Sequence, residues 1–398
     1  MQVRLTYVRN AASRLALVLA SASVLSCGGS GDSASTPSPP APPPPAVTGV
    51  YSNAGSLLME RSGHAAVLLR DGKVLVVGGV PAGGPLLPVA TASAELFHPA
   101  ANVFVTTGSM TAARRGGHSA TVLSDGRVLV CGGFDLASDP PRSDAEIFDP
   151  RTGRFAPTGS MAQRRAYHAA VLLANGKVLV AGGQGNDGLS AELFDPVTGT
   201  FSSTAAMPHF RFEASAALLA DGRVLMMGYQ DAADTYDPAL GTFTAAGSAQ
   251  TAGGLWSGPS LTALTDGRVL AVAGQESTVG SNFPSPVANG QLFDPATNDF
   301  SLTGALVWPR RFLATATRLP DGRVLVFGGE GSTAWPDRGE LYDPSTGLFT
   351  PTVSAGAGRS SHTATLLQNG KVLIAGGLVG ASRTAAAPAT GSLLFELR

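Results

Sequence analysis

The chain is poor in the residues that most often carry chemistry. Of its 398 residues only 14% are charged and 7% are aromatic, and it holds two cysteines, Cys27 and Cys131. Two cysteines so far apart give neither a disulfide framework nor a cysteine metal cluster, and we expect no metal and no cofactor. A net charge of −1 without a basic stripe argues against nucleic acid as a partner. The G-x-S-x-G, H-E-x-x-H and phosphate-loop patterns are missing as well.

The N-terminus predicts export. Residues 1–26 combine a basic start with the short apolar run "LALVLASASVLS", which is typical of a signal peptide. The run ends in "VLSC", so we predict lipidation of Cys27, with plain secretory cleavage as the alternative. Residues 27–48 are rich in Gly, Ser and Pro and predict a tether that holds a domain away from a surface. The expected location is the bacterial cell envelope, at the outer membrane where there are two membranes.

Glycine and proline, in contrast, are abundant, with 50 and 28 copies, which favours a turn-rich all-β protein. One segment returns seven times at intervals of about 45 to 55 residues, a period typical of propeller blades. The copies are "DGKVLVVGG" at Asp71, "DGRVLVCGG" at Asp125, "NGKVLVAGG" at Asn175, "DGRVLMMGY" at Asp221, "DGRVLAVAG" at Asp266, "DGRVLVFGG" at Asp321 and "NGKVLIAGG" at Asn369.

Each copy is interpreted as four strands. A strand such as "HAAVLL" is followed by Asp/Asn-Gly, expected to supply the positive φ angles of a tight hairpin, and by "KVLVVGG". A third strand such as "AELFHP" and a turn then lead to a fourth strand with one Phe. Copy seven stops after its third strand, and residues 49–57 resemble an isolated fourth strand with Tyr51 in the Phe position. We therefore predict one domain over 49–398, a seven-bladed β-propeller closed by its N-terminal strand.

The repeated unit "RRxxH…DGxVLVxGG…AExFDPxTGxF" resembles the kelch repeat, with its double Gly and late aromatic residue. The resemblance covers residues 49–398, although the late aromatic is Phe instead of Trp and copies four and five lack a full double Gly. Galactose oxidase, which resembles the same family, needs a Cys crosslinked to a Tyr, and Cys131 lies in a repeat strand, so that chemistry is set aside. A sialic-acid mutarotase also resembles a kelch propeller and requires little more than acid–base residues.

Alternating strands bring the loops after the second and fourth strands of every copy to one face, here called the top face. At the top face an Arg recurs three residues before a His position, and an acid recurs on the third strand. We interpret them as scaffold ion pairs, and the His residues as hydrogen-bonded structural groups. The Arg set is Arg61, Arg115, Arg165, Arg211, Arg311 and Arg359, the acid set is Glu95, Glu146, Glu192, Asp234 and Glu340, and the His set is His64, His118, His168 and His362.

Copy five departs from this rule, because Trp256 replaces the Arg and Gln291 replaces the acid. The other two Trp residues fall in neighbouring top-face loops, so a binding platform on blades five and six is expected, the alternative being that the Trp residues pack loops together. The leading function is a monomeric, surface-anchored module that binds a glycan or a protein; the alternative is a carbohydrate-active enzyme such as a mutarotase or epimerase. The proposed ligand-binding residues are Trp256, Trp308, Trp335, Phe283, Tyr229, Arg310, Glu330 and Asp337.

Overall fold

A computed structural model describes residues 49–81, 90–135, 140–185, 188–251, 254–278, 285–310, 313–331, 334–382 and 385–398. Residues 47–398 group into one compact unit. Regular structure in the described part is β-strand only, and that part holds no helix long and apolar enough to cross a membrane. Cys27 and the tether lie outside the described residues.

Seven antiparallel sheets, the blades, carry the repeat, and in five of them the strands lie side by side in chain order; the sheets of copies five and seven depart from that order. The first strand of the domain is β1 (Gly49–Asn53), which belongs to the last sheet. Blade one consists of β2 (Ala65–Leu68), β3 (Val74–Val77), β4 (Ala94–His98) and β5 (Val103–Thr106). Blade two consists of β6 (Gly116–Val122), β7 (Val128–Phe134), β8 (Ala145–Asp149) and β9 (Arg154–Pro157). Blade three consists of β10 (Ala169–Leu172), β11 (Val178–Ala181), β12 (Ala191–Asp195) and β13 (Thr200–Ser203). Blade four consists of β14 (Ser215–Leu218), β15 (Val224–Gly228), β16 (Gln230–Asp237) and β17 (Thr242–Ser248).

Blade five is larger, because a top-face hairpin extends it. Its strands are β18 (Gly254–Ser257), β19 (Ser260–Ala263), β20 (Val269–Val272), β21 (Gln275–Thr278), β22 (Ser285–Asp294) and β23 (Asp299–Arg310). Blade six consists of β24 (Ala314–Arg318), β25 (Val324–Gly328), β26 (Arg338–Asp343) and β27 (Leu348–Ser354). Blade seven consists of β29 (Thr363–Leu366), β30 (Val372–Ala375), β33 (Leu393–Leu397) and β1. Three short strands form a separate sheet at the top of blade seven: β28 (Arg359–Ser360), β31 (Leu378–Val379) and β32 (Ala387–Pro388).

The innermost strands succeed one another in a cycle. In the order β2, β6, β10, β14, β19, β24 and β29, each contacts the next, and β29 contacts β2. The predicted closure is confirmed, since β1 pairs with β33 in register from Gly49 with Leu397 to Asn53 with Leu393. Tyr51 stacks on Phe395 at 5.1 Å and on Phe327 of blade six at 5.4 Å, so it occupies the position of the late Phe. The chain is therefore an all-β propeller whose seam has no free strand edge.

The core lies between blades. Strand β3 packs its buried Leu75 and Val77 against Val128, Val130 and Phe148 of blade two, and the same arrangement returns around the ring. The double Gly permits this packing, since a Cβ at Gly78 would lie 2.8 Å from the His118 ring of the next blade. The hairpin turns differ from the expectation in one respect. Of the two turn residues in copy one, only Gly72 has a positive φ, 83°. Asp71 instead accepts a hydrogen bond from the amide of Lys73 at 3.2 Å.

Candidate functional site

The top face is held by the predicted ion pairs, which are buried. The distances between guanidinium nitrogen and carboxylate oxygen are 2.6 Å for Arg61–Glu95, 3.0 Å for Arg165–Glu192 and 2.6 Å for Arg211–Asp234. In blades two and six the sequence alignment was wrong by one residue. Arg114 lies 2.9 Å from Asp144 and 3.6 Å from Glu146, and Arg310 pairs with Glu340 at 3.1 Å, instead of Arg115 and Arg311. Arg311 lies outside the described residues.

The reason for the shift is one extra residue. Arg61 and Arg165 precede the His position by three residues, whereas Arg114 precedes His118 by four, and Arg310 precedes Ala314 by four. The carboxylate fixes which Arg is buried, because burying an unpaired charge costs several kcal/mol. The loop between the buried Arg and the His position therefore accommodates the additional residue. In blade two that residue is Arg115, which forms no ion pair within the described residues and whose Nε is shielded from solvent without a hydrogen-bond partner.

Copy five retains the geometry of the pair in a neutral form. The Trp256 Nε1 donates to the carbonyl of Ala273 at 2.7 Å, as the Nη1 of Arg61 donates to Gly78 at the end of the same strand of blade one. Gln291 takes the position of the acid, because its Oε1 accepts the amide of Gln250 at 2.7 Å. Trp256 is 0% exposed. The change in copy five is thus a scaffold substitution, and it does not open the top face.

This placement corrects much of the expected platform on blades five and six. Trp256 and Arg310 are 0% exposed and Trp335 is 6% exposed, so these three side chains lie inside the protein, where they hold loops and strands together. Trp308 is half-buried, with the Arg338 guanidinium 5.9 Å from its ring centre. Glu330 is half-buried, and Asp337 accepts a hydrogen bond from Ser354 at 2.6 Å. Phe283 lies outside the described residues.

Tyr229 is the exposed aromatic residue among the described members of the predicted set, at 37%. It takes the place of the second Gly of the repeat and has a φ of 67°, a conformation that costs a non-Gly residue free energy. The strand pairing shifts register between Met226 and Gly228, immediately before Tyr229. The ring of Tyr229 meets Phe210 at 5.3 Å and Phe212 at 6.1 Å, edge to face.

A ring of residues with positive φ marks the top end of the innermost strands. The residue immediately before the His position has a φ between 53° and 70° in every blade. Backbone hydrogen bonds join these positions across blades, from the Gly63 amide to the Ser361 carbonyl and from the Tyr167 amide to the Gly117 carbonyl. Three of the positions are Gly, where positive φ is cheap, and four carry side chains. The seven residues are Gly63, Gly117, Tyr167, Glu213, Gly258, Leu313 and Ser361.

Glu213 is the charged residue of this ring. Its Oε2 is shielded from solvent and has no hydrogen-bond partner among the described residues, while the residue as a whole is half-buried. Desolvation raises the pKa of this carboxyl to about 7. A side chain that is half protonated at neutral pH can either donate or accept a proton. Sequence reasoning missed Glu213, although a carboxylate in a repeat position that is Gly in three other copies and uncharged in all of them was a visible signal.

Tyr167 lies beside Glu213 and is 41% exposed. The amide of Ala214, the residue after Glu213, donates to the Tyr167 carbonyl at 2.9 Å. Desolvation raises the pKa of the Tyr167 hydroxyl, the charge of Glu213 raises it further, and Arg115 opposes both. Phe134 packs on the Tyr167 ring at 5.9 Å. Glu213, Tyr167, Arg115, Phe134 and Tyr229 are here called the mouth cluster, and they belong to blades two to four.

The predicted structural role of the His residues is confirmed. The Nε2 of His64 bonds to the Thr363 hydroxyl at 2.9 Å, that of His168 to the Ser119 hydroxyl at 2.8 Å, and that of His362 to the Thr315 hydroxyl at 3.0 Å. Each bond joins neighbouring blades. Within the described residues, no three or more His, Cys, Asp or Glu side chains group in a way that could hold a metal ion. Cys131 is buried, 3.2 Å from the Ser119 hydroxyl.

Comparisons with known proteins agree with this architecture. Residues 114–162, which span blade two, match the family model described as "Kelch motif". The repeat unit of blade two is a kelch motif. No curated protein matches the chain. A solved fungal alcohol oxidase of the AA5 family, in complex with copper, is similar in fold, with a TM-score of 0.71 and 19% identity over 88% of this chain and 76% of its own.

A second solved structure, that of YjhT, is similar with a TM-score of 0.58 and 13% identity over 75% of this chain and 99% of its own. At such identities the two likenesses show the fold alone. On the top face of this propeller, Glu213 and Tyr167 differ from the glycines that hold the same position in blades one, two and five.

Proposed function

We propose that this kelch propeller binds a glycan at the mouth cluster. The observation that carries the proposal is Glu213, a carboxyl held at positive φ with one oxygen shielded and unpartnered. Among the buried polar atoms that lack a partner in the described residues, Glu213 Oε2 is the one that belongs to a carboxylate. A buried polar group without a partner is a candidate for contact with a ligand or for a catalytic role. Sugar hydroxyls are suitable partners, because each can donate to or accept from a carboxyl that is close to half protonated.

Aromatic side chains around Glu213 support this class of ligand. Tyr167 and Tyr229 expose 41% and 37% of their surface at the top face, and each is fixed by other aromatic rings. Exposed rings that are held rigidly offer an apolar face to a sugar at low conformational cost. Tyr229 thus keeps the role proposed for it, in a platform that lies on blades two to four instead of blades five and six.

The test uses paired substitutions at equivalent positions of the ring. Glu213→Gly and Tyr167→Gly each remove a side chain and relieve a strained φ, so both variants are expected to fold. Ser361→Gly and Leu313→Gly do the same on other blades and serve as matched controls. On a glycan array, the full chain and the controls should bind the same saccharides, and Glu213→Gly and Tyr167→Gly should lose that binding. Equal binding by all variants, or capture of proteins but no glycan by the wild type, would contradict the proposal.

A second candidate is a carbohydrate-active enzyme, favoured by the pKa of about 7 at Glu213. A carboxyl with that pKa is suited to general acid–base catalysis at neutral pH, and exchange of sugar anomers needs only removal of one hydroxyl proton and protonation of the ring oxygen. Glu213→Gln separates the candidates, because an amide still forms hydrogen bonds but cannot transfer the proton. Anomer exchange measured by NMR that is lost in Glu213→Gln, with binding retained, would identify an enzyme.

We further propose that the propeller is displayed at the cell envelope through a lipid on Cys27. The signal-like segment, the "VLSC" sequence and the tether rich in Gly, Ser and Pro support this. Labelled palmitate should enter the wild type and not Cys27→Ser, and equal labelling of both would refute the anchor.

A further inference from the structure

Blade one shows how a buried top-face Arg is normally satisfied. Arg61 Nη1 donates to the carbonyls of Gly78 and Ser93 at 2.9 and 3.1 Å. Its Nη2 donates to the Ser93 hydroxyl at 3.1 Å and to Glu95 at 2.6 Å. The carboxylate also accepts the amides of Leu58 and Met59. One nitrogen is thus used by the backbone, and the other by two side chains.

Blade seven retains the Arg and loses both of those side chains. Arg359 Nη1 donates to the carbonyls of Gly376 and Gly391 at 2.6 and 2.7 Å, which are the counterparts of Gly78 and Ser93. The counterpart of Glu95 is Leu393, because Leu393 pairs with Ile374 as Glu95 pairs with Val76. The Ser93 hydroxyl has no counterpart on Gly391. Within the described residues, Nη2 of Arg359 therefore has no acceptor and no carboxylate.

This guanidinium is nevertheless in the interior. Arg359 is 7% exposed, and desolvation alone lowers its pKa to about 10, so it is charged at neutral pH. In blade one the same desolvation is opposed by Glu95. Blade five shows that the fold has a neutral solution, with Trp256 in place of the Arg and Gln291 in place of the acid. Blade seven keeps the cation, although an uncompensated buried charge is expensive.

There is room where the missing side chains would lie. A Cβ built on Gly391 would meet no atom within 4 Å, and Gly391 is exposed, so this space opens to solvent. Ser360 follows Arg359 in the chain, and Ser392 precedes Leu393. Their buried hydroxyls have no hydrogen-bond partner among the described residues. Trp335 packs against the residue that precedes Arg359, since a Cβ on Gly358 would lie 2.6 Å from the Cβ of Trp335.

We propose that blade seven binds the carboxylate group of a small external ligand, which fills the space beside Gly391 and pairs with Nη2 of Arg359. The class of ligand follows from the other blades, where a carboxylate oxygen lies 2.6 to 3.6 Å from the corresponding Arg nitrogen. A guanidinium binds carboxylates through directed, charge-assisted hydrogen bonds. The site is separate from the mouth cluster and does not depend on the function proposed there.

The experiment compares acetate with chloride on the full chain at equal ionic strength. Wild type should melt at a higher temperature in acetate, and acetate should show saturation-transfer NMR signals from the protein. Leu393→Glu supplies the missing carboxylate from within, so it should raise the melting temperature in chloride and weaken acetate binding by at least about tenfold. Arg359→Gln should also abolish the acetate effect. The same measurements with glucuronate and with glucose then test whether a saccharide supplies the carboxylate. Those with N-acetylglycine and with its amide test whether a peptide supplies it.

Glu213→Gly is the control that separates the two proposals, because it should keep the full response to acetate. An acetate effect that is absent from the wild type would overturn the inference. So would an effect of equal size in Leu393→Glu, because acetate would then be acting elsewhere on the protein.

Discussion

At the scale of single residues, Glu213 is the group whose environment has the clearest consequence. Its folded pKa of about 7 lies above the ordinary value of 4.5, so between these two values the folded protein holds a proton that the unfolded chain releases. Stability then falls as pH rises through this window, the opposite of what an ion-paired carboxylate does. Well below pH 4.5 the carboxyl is neutral in both states, so its ionisation no longer affects the free energy of unfolding.

Glu213→Gln should therefore stabilise the protein in a pH-dependent way. Relative to wild type, the free energy of unfolding of the variant should rise between pH 4 and pH 8, by up to about 3 kcal/mol for a shift of this size. Urea unfolding followed by circular dichroism at both pH values measures the change. A difference that is the same at pH 4 and pH 8 would mean that the carboxyl ionises as if it were in water.

The same residue shows what the sequence could and could not predict. The repeat placed Glu213 next to the His position of copy four, but its chemistry comes from the top ends of blades two to four meeting around it. Arg115 was misassigned for a related reason. Counting from the His chose the wrong Arg, because burial is decided by which guanidinium reaches the carboxylates of Asp144 and Glu146, and that requires knowledge of the loop.

At the scale of the blade, the repeat was a reliable guide. The hairpin turns, the double Gly, the late aromatic and the completion of blade seven by β1 all follow from residues that return at fixed places. The position of the binding sector could not be predicted from the repeat in this way, because Trp residues in predicted loops were assumed to face solvent. Trp256 instead takes the place of an Arg inside blade five, and Trp335 packs on Gly358.

The stability of blade five should depend on Trp256 far more than that of its neighbour depends on Trp308. Removing a fully buried Trp leaves a cavity and the Ala273 carbonyl without its donor, so Trp256→Ala should cost about 3 to 5 kcal/mol. Trp308→Ala, at a half-buried position stacked by Arg338, should cost about 1 kcal/mol. Guanidinium unfolding of the two variants checks the contrast.

Restoring the ion pair provides the control for blade five. Gln291→Glu alone buries a carboxylate without a cation and should be strongly destabilising, whereas Gln291→Glu combined with Trp256→Arg should recover much of that loss. If the double variant is no more stable than the sum of the single changes predicts, Trp256 and Gln291 are not the neutral counterpart of the pair.

At the scale of the whole molecule, the ring is held between blades by the His residues. His64, His118, His168 and His362 bond blades one, two, three and seven to the blade before each of them, and His64 lies at the seam. Burial lowers their pKa, to about 3 for His64 and His168 and to about 4 for His118. These imidazoles are therefore neutral in the folded ring and become charged when the ring opens in mild acid.

The ring should consequently lose stability as the solution is acidified below pH 6.5. In that range the unfolded chain binds protons that the folded protein cannot. By pH 3 each imidazole can therefore lower the free energy of unfolding by up to about 4 kcal/mol. His168→Ala copies the residue that blade four carries at this position, Ala214. It should lower stability at pH 7 by about 1 kcal/mol through the lost bond to Ser119, and it should flatten the decline between pH 6.5 and pH 4. Free energies of unfolding measured across this range give both numbers, and a decline as steep as that of the wild type would show that His168 does not couple the opening of the ring to acid.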